Sequence, residues 1–416
     1  MAEIARELER RRAAAADVWD VRDAVVLVEA GHEIPVPGRG DITYPFRAHS
    51  EYLYLTDRER PGGVLAFDPG EGWVEFVMPV TAQELLWTGV DGDREGVPEG
   101  TRPIDELDDW LRGRPVRRLG AAADADEELR NDLIRVRRPK DDVEIERMRA
   151  AGEATRAGFE ELVRLLEPGR TERELQIEIE AAFLRSGGDF LAYDSIVAAG
   201  DHSAVLHFAP TARELKDGDL LLVDAGAEYR GYASDVTRTY PVGGELDGRQ
   251  RVVWETVRRA LEAAIAACRP GVEWRAVHRV AALVVAEGLV ELGALRGEPE
   301  TLVESGAATL FFPHGVGHMV GLGIRDAGFA TDEQRDPLPG LPRLRLDIPL
   351  EPRQAWTVEP GIYFVPALLA TARDRDDVNW DLVDELLGFG GVRIEHDVLI
   401  TEDGCEVLTA AIPLAQ

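Results

Sequence analysis

LLLVDAGAEYRGYASDVTRTY, residues 220–240, joins two apolar, β-prone runs through a short Tyr-Arg-Gly connection. That composition predicts a hairpin. A turn centred between Tyr229 and Arg230 would set Asp224 directly across from Asp235. Like charges placed opposite each other on paired strands destabilise a sheet, so a bound cation is the natural resolution. Two solvated carboxylates flanking a hairpin are the plainer alternative, but LLLVDAG is too apolar for an exposed strand.

Three further candidate ligands follow in order. His314 and His318 bracket HGVGH, where two glycines and the lack of a Glu after the first His argue against a zinc-protease helix. A glycine-rich strand or loop in close backbone contact with a site is expected instead. Glu359 follows AWTV and precedes the turn signal Pro360-Gly361. Glu395 lies in GGVRIEHDVLI, with Arg393 two residues earlier and on the same face. An ion pair between Arg393 and Glu395 is the structural alternative, because a Glu in an apolar strand is rarely buried without a partner or a metal. Four carboxylates and one imidazole form an oxygen-rich donor set suited to Mn(II), with Co(II) or Zn(II) as alternatives.

The series VDAG, SDVTRT, HGVGH, TVEPG and RIEHD resembles the proline-specific metallopeptidases of the pita-bread fold, prolidase (Xaa-Pro dipeptidase) and aminopeptidase P. The similarity runs from about Pro139 to the end, with a weaker echo in ITYPFRAHSEYLYLT and PGGVLAF. It implies that Asp224, Asp235, His318, Glu359 and Glu395 hold two divalent metal ions, with Asp235 and Glu395 bridging. Glu359, His207 and His314 are then catalytic candidates, and Arg345, Arg393 and Tyr363 substrate-binding ones. RPGVEWRAVHRVA and LPRLRLDIPLEP look more like prolidase than aminopeptidase P, and Arg345 falls where prolidases grip a dipeptide carboxylate. A guanidinium suits that task, although Arg343 and Arg345 alternate in RLRLDI as solvated strand residues also would. Arg325 departs from the family, standing where a histidine is usual. It could aid a developing oxyanion but cannot shuttle protons.

Composition bounds the remaining readings. The chain has 416 residues, 45% of them hydrophobic, enough for two domains and a large core. A net charge of −31 argues against nucleic-acid binding. No apolar run is long enough for a membrane span, and MAEIARELERRRAAAADVWD lacks a signal core, so a cytoplasmic location is expected. Cys268 and Cys405 are read as packed thiols of a reducing compartment.

The chain is expected to be α+β. Residues 1–137 form an N-terminal α/β domain resembling that of aminopeptidase P, and residues 138–416 a pita-bread catalytic domain. The stretch 327–347 is expected to be a loop near the site. The resemblance implies a homodimer acting on small peptides with proline second, either Xaa-Pro dipeptides or longer peptides. A non-catalytic homologue is disfavoured because all five ligands are present.

Overall fold

The computed structural model describes residues 2–87, 89, 96–120, 124–328, 330–333 and 335–415. The chain divides into two compact units, Met1–Arg137 and Arg138–Gln416. In the first, five strands, β1 (Val25–Glu29), β2 (Val64–Asp68), β3 (Gly72–Val77), β4 (Thr101–Pro103) and β5 (Val116–Leu119), form one mixed sheet in the order β4-β3-β2-β1-β5. The apolar runs AVVLVEA, GGVLAF and WVEFVMPV supply its three central strands. Its edges, TRP and VRRL, carry too little apolar pattern to be read as strands. Helices α1 (Ala2–Trp19) and α2 (Glu127–Arg137) belong to this unit, and Val25, Leu27, Ala66, Phe76 and Trp110 sit in its core.

The second unit opens with α3 (Asp142–Leu165) and α4 (Glu172–Arg185). Each begins with a capping box, Asp141 with Glu144 and Thr171 with Glu174, satisfying amide donors left free at a helix start. These helices share a core with a sheet of β7 (Ile196–Ala199), β8 (Leu220–Asp224) and β11 (Thr237–Pro241), in the order β11-β8-β7. Strands β6 (Phe190–Leu191), β9 (Ala227–Tyr229) and β10 (Tyr232–Ala233) continue the hairpin as a second small sheet. Helices α5 (Gly248–Ala267) and α6 (Trp274–Leu292) share the larger core with β12 (Ala355–Val358), β13 (Gly361–Tyr363), β14 (Gly391–Arg393) and β15 (His396–Ile400). Trp274 stacks on Trp356 at 4.3 Å there. Strand β16 (Cys405–Val407) completes the β12-β15-β16 sheet.

The hairpin forms where the sequence predicts it, but in a different register. Its turn is Arg230-Gly231, both left-handed at φ +52° and +84°, a two-residue connection that suits the strand twist. Tyr229 therefore pairs with Tyr232, and Asp224 with Thr237 rather than Asp235. Asp224 and Asp235 become diagonal neighbours on one face, because side chains alternate along each strand.

Candidate active site

The two halves of the second unit meet where β11 lies beside β14. Thr239 Oγ1 donates to the Arg393 carbonyl at 2.9 Å, and the Glu395 N–H donates to the Thr237 carbonyl at 3.0 Å. This seam carries Glu395 to the hairpin. Donor oxygens of Asp224, Asp235 and Glu395 all lie within 4.8 Å of one another.

HGVGH is extended, not helical. The Thr357 N–H donates to the His318 carbonyl at 2.7 Å and the Glu359 N–H to the Val316 carbonyl at 2.8 Å, so the segment runs along β12. Gly317 allows that approach, since a Cβ there would collide with the Thr357 carbonyl oxygen. The pairing puts His318 Nε2 3.4 Å from Asp235 Oδ2 and 3.8 Å from Glu359 Oε1. All five expected ligands are thus brought together.

Their surroundings fix them further. Tyr193 donates to Asp224 Oδ1 at 2.6 Å and Thr237 Oγ1 to Glu395 Oε2 at 2.6 Å. Asp397 Oδ2 accepts the Asp235 N–H at 3.0 Å. None of these three was legible in the sequence. Thr237 and Asp397 do lie two residues from a candidate ligand, on the same strand face, which was the available signal; Tyr193 offered none.

Arg393 does not pair with Glu395. Its Nη2 lies 2.6 Å from Asp224 Oδ2, its Nη1 donates to the Tyr363 hydroxyl at 2.8 Å, and its Nε to Thr237 Oγ1 at 3.1 Å. Tyr363 is fully buried and lies 2.9 Å from His314 Nε2. It contacts two residues of a cavity wall, His314 and Arg393.

A cavity of about 790 Å³ opens on this cluster, within the range of small-molecule sites. His207, His314, Arg325, Arg343 and Arg345 line it together with the five donors. Arg343 and Arg345 come from the stretch 327–347, which, as expected of a loop, holds only one short turn of helix among its described residues, and Arg325 lies just before it.

The electrostatics of the cluster show strained negative charge. Burial first, then Asp224, pushes the Asp235 carboxyl well up, and burial with Asp235 does the same to Glu395. Burial lifts Glu359 to about 7 against the opposing charge of Arg393. Burial also lowers His314 to about 3 and His318 to about 4, so His318 presents a neutral imidazole. Its Nδ1 lies 3.0 Å from the Met319 carbonyl, which assigns the proton to Nδ1 and leaves the Nε2 lone pair facing Asp235 and Glu359. Crowded carboxylates beside a neutral imidazole are the donor set of a divalent-metal centre.

A hydrolytic metalloenzyme with a carboxylate-rich centre between two packed halves is the class this architecture defines. The sequence matches Metallopeptidase family M24 over residues 146–402 and the aminopeptidase P N-terminal domain over residues 8–112. The chain belongs to the M24 metallopeptidases and has their two-domain form, an aminopeptidase P-type N-terminal domain and a pita-bread catalytic domain. It is 35% identical to Xaa-Pro aminopeptidase 1 of Streptomyces coelicolor, over 90% of this chain and 78% of that protein. It is equally 35% identical to the human Xaa-Pro dipeptidase, over 88% and 82%. The solved structure of Escherichia coli aminopeptidase P with the inhibitor Pro-Leu superposes with a TM-score of 0.83 at 29% identity, covering 98% of this chain and 95% of that one.

Proposed function

We propose that the chain hydrolyses the imide bond before proline in Xaa-Pro dipeptides, with a two-metal centre held by Asp224, Asp235, His318, Glu359 and Glu395. The observation that carries this reading is the convergence of those five donors in one cavity that also presents Arg345. Asp235 and Glu395, buried side by side, are proposed to bridge the ions. The oxygen-rich donor set favours Mn(II), with Co(II) or Zn(II) as substitutes. Two such ions would supply a water of lowered pKa and polarisation of the scissile carbonyl.

The chain's own groups do the rest. Glu359 is proposed to take a proton from the attacking water and return it to the departing proline nitrogen. His207 and His314 stand on the cavity wall, where imidazoles can hydrogen-bond the substrate backbone. Tyr363 and Arg393, expected as substrate ligands, are instead proposed to orient His314 and Asp224. Arg345 holds the free carboxylate of the dipeptide. A proline nitrogen in an imide has no N–H to offer, so no enzyme acceptor is needed there. The trans bond of the substrate is expected to be the one cleaved. A cytoplasmic homodimer is the proposed working form, checked by light scattering; among the described residues no helix is long and apolar enough to cross a membrane.

Removal of the first residue from longer Xaa-Pro peptides is the second reading. The match of residues 8–112 to the aminopeptidase P N-terminal domain favours it. Hydrolysis of Ala-Pro against Ala-Pro-Ala by Mn(II)-loaded protein separates the two. Cleavage of the dipeptide alone is expected, and turnover of the tripeptide would move the activity to aminopeptidase P. Loss of activity in chelated protein and in Glu359→Gln ties either result to this site.

A further inference from the structure

Two of the cavity's cations stand apart from the others. Arg393 is engaged by Asp224, Tyr363 and Thr237. Arg325 and Arg345 line the same cavity, yet neither has a hydrogen-bond or ion-pair partner among the described residues. The chain offers 78 acidic residues to 47 basic ones, so an arginine left without a carboxylate is conspicuous. The two also face each other electrostatically: the charge of Arg325 is among the causes that lower the Arg345 pKa, after burial. Both line the same cavity as His318 and Glu359.

A pair of solvated surface arginines would not need anchored backbones, and these have them. Asp326, the residue after Arg325, is completely buried and lies 2.6 Å from the equally buried Lys140 Nζ. Asp326 also accepts the Leu322 N–H at 2.9 Å. A Cβ at Gly321 would lie 2.5 Å from Asp326 Oδ2 and 2.8 Å from Lys140 Cε, so the segment packs tightly on this pair. Arg345 is held through Asp347, which pairs with Arg275 and accepts the Arg275 N–H at 3.2 Å. Two like charges held in one cavity repel, and an anion bound between them relieves that repulsion. Arginine does not deprotonate in proteins, so this charge is permanent and matches a permanent anion better than a transient one. The paired donors of a guanidinium suit a carboxylate in particular.

We infer that Arg325 and Arg345 form a two-guanidinium clamp for the free carboxylate of a dipeptide substrate, with Arg325 a specificity-determining residue. The inference rests on the reading of the cavity as an Xaa-Pro hydrolase. It assigns Arg325 to the carboxylate rather than to the oxyanion formed at the scissile carbonyl, and it makes Lys140 and Asp326 positioning residues for that clamp.

Ala-Pro and Ala-Pro-amide contain the same scissile bond and differ only in the terminal charge, so they test the clamp directly. Arg325→Gln, Arg345→Gln and Arg325→Lys are compared with wild type in the Mn(II)-loaded full chain. Either Gln variant is expected to raise KM for Ala-Pro by about 10- to 100-fold, the worth of a hydrogen bond to a charged group. Its kcat, and both constants for the amide, should change little, and Arg325→Lys should recover part of the loss. An equal fall of kcat on both substrates in Arg325→Gln would place Arg325 at the oxyanion and overturn the clamp. No change on either substrate would reduce it to a solvated side chain. If wild type cleaves neither substrate, the hydrolase reading fails by itself. Thermal stabilisation by L-proline against L-prolinamide then still decides the clamp: discrimination lost in Arg325→Gln supports it, and equal stabilisation in wild type overturns it.

Discussion

At the residue scale the site is a problem of buried charge. Asp224, Asp235, Glu359 and Glu395 sit within reach of one another, and among the described residues the only arginine or lysine that pairs with one of them is Arg393, at Asp224. Removing one partner of a buried ion pair leaves the other uncompensated. Arg393→Met is therefore expected to destabilise the metal-free protein by about 3–5 kcal/mol, seen as a lower urea midpoint; an unchanged midpoint would show that the Arg393–Asp224 pair adds nothing to stability there. For Glu359→Gln, the loss of a proton-transfer group predicts a kcat about 10²- to 10⁴-fold lower, measured on Ala-Pro. A sequence can announce such residues, because a carboxylate in LLLVDAG or VRIEHD needs a reason to be buried. It cannot announce their partners. That Thr237 donates to Glu395, 158 positions away, depends on the lateral fit of β11 against β14, which no local pattern encodes.

At the element scale the hairpin carries the lesson. The two runs in residues 220–240 and the connection between them were legible, and the register was not, because it depends on which two residues turn left-handed. Arg230 adopts φ +52°, a conformation that costs most L-residues about 1–2 kcal/mol and that Asn tolerates better. Arg230→Asn, giving the Asn-Gly pair favoured in such turns, should therefore stabilise the protein by about 0.5–1 kcal/mol, read as a raised Tm. Helix α6 supports the HGVGH strand through a second buried group. His278 Nδ1 accepts the Val316 N–H at 3.1 Å, and burial lowers the His278 pKa to about 4. Between about pH 6.5, the ordinary value, and about pH 4, the unfolded chain binds a proton that the folded chain does not. His278 therefore contributes stability above this window that is lost as pH falls through it, up to about 3 kcal/mol. Urea midpoints from pH 7 to pH 4.5 should fall less steeply in His278→Gln than in wild type. Parallel slopes would mean that His278 is already charged in the fold.

At the scale of the whole molecule the charge of −31 and the metal centre act together. The fold class was readable from the ordered series of motifs, whereas the capping boxes at Asp141 and Thr171 emerge only in the structure. The edge strands of the first unit were not readable either, because TRP and VRRL do not alternate. Self-repulsion in so acidic a chain predicts a Tm that rises with NaCl, and divalent ions should raise it further by binding only the folded state. A metal held at a thousandfold over its Kd would add about 4 kcal/mol. The most direct measurement follows bound metal and proline release from Ala-Pro together, as chelator-stripped protein is titrated with Mn(II). Activity should be absent in the stripped protein and climb with bound metal to a plateau at about two ions per chain. Proline release that survives stripping, or two bound ions with no release from Ala-Pro or Ala-Pro-Ala, would contradict a two-metal Xaa-Pro hydrolase.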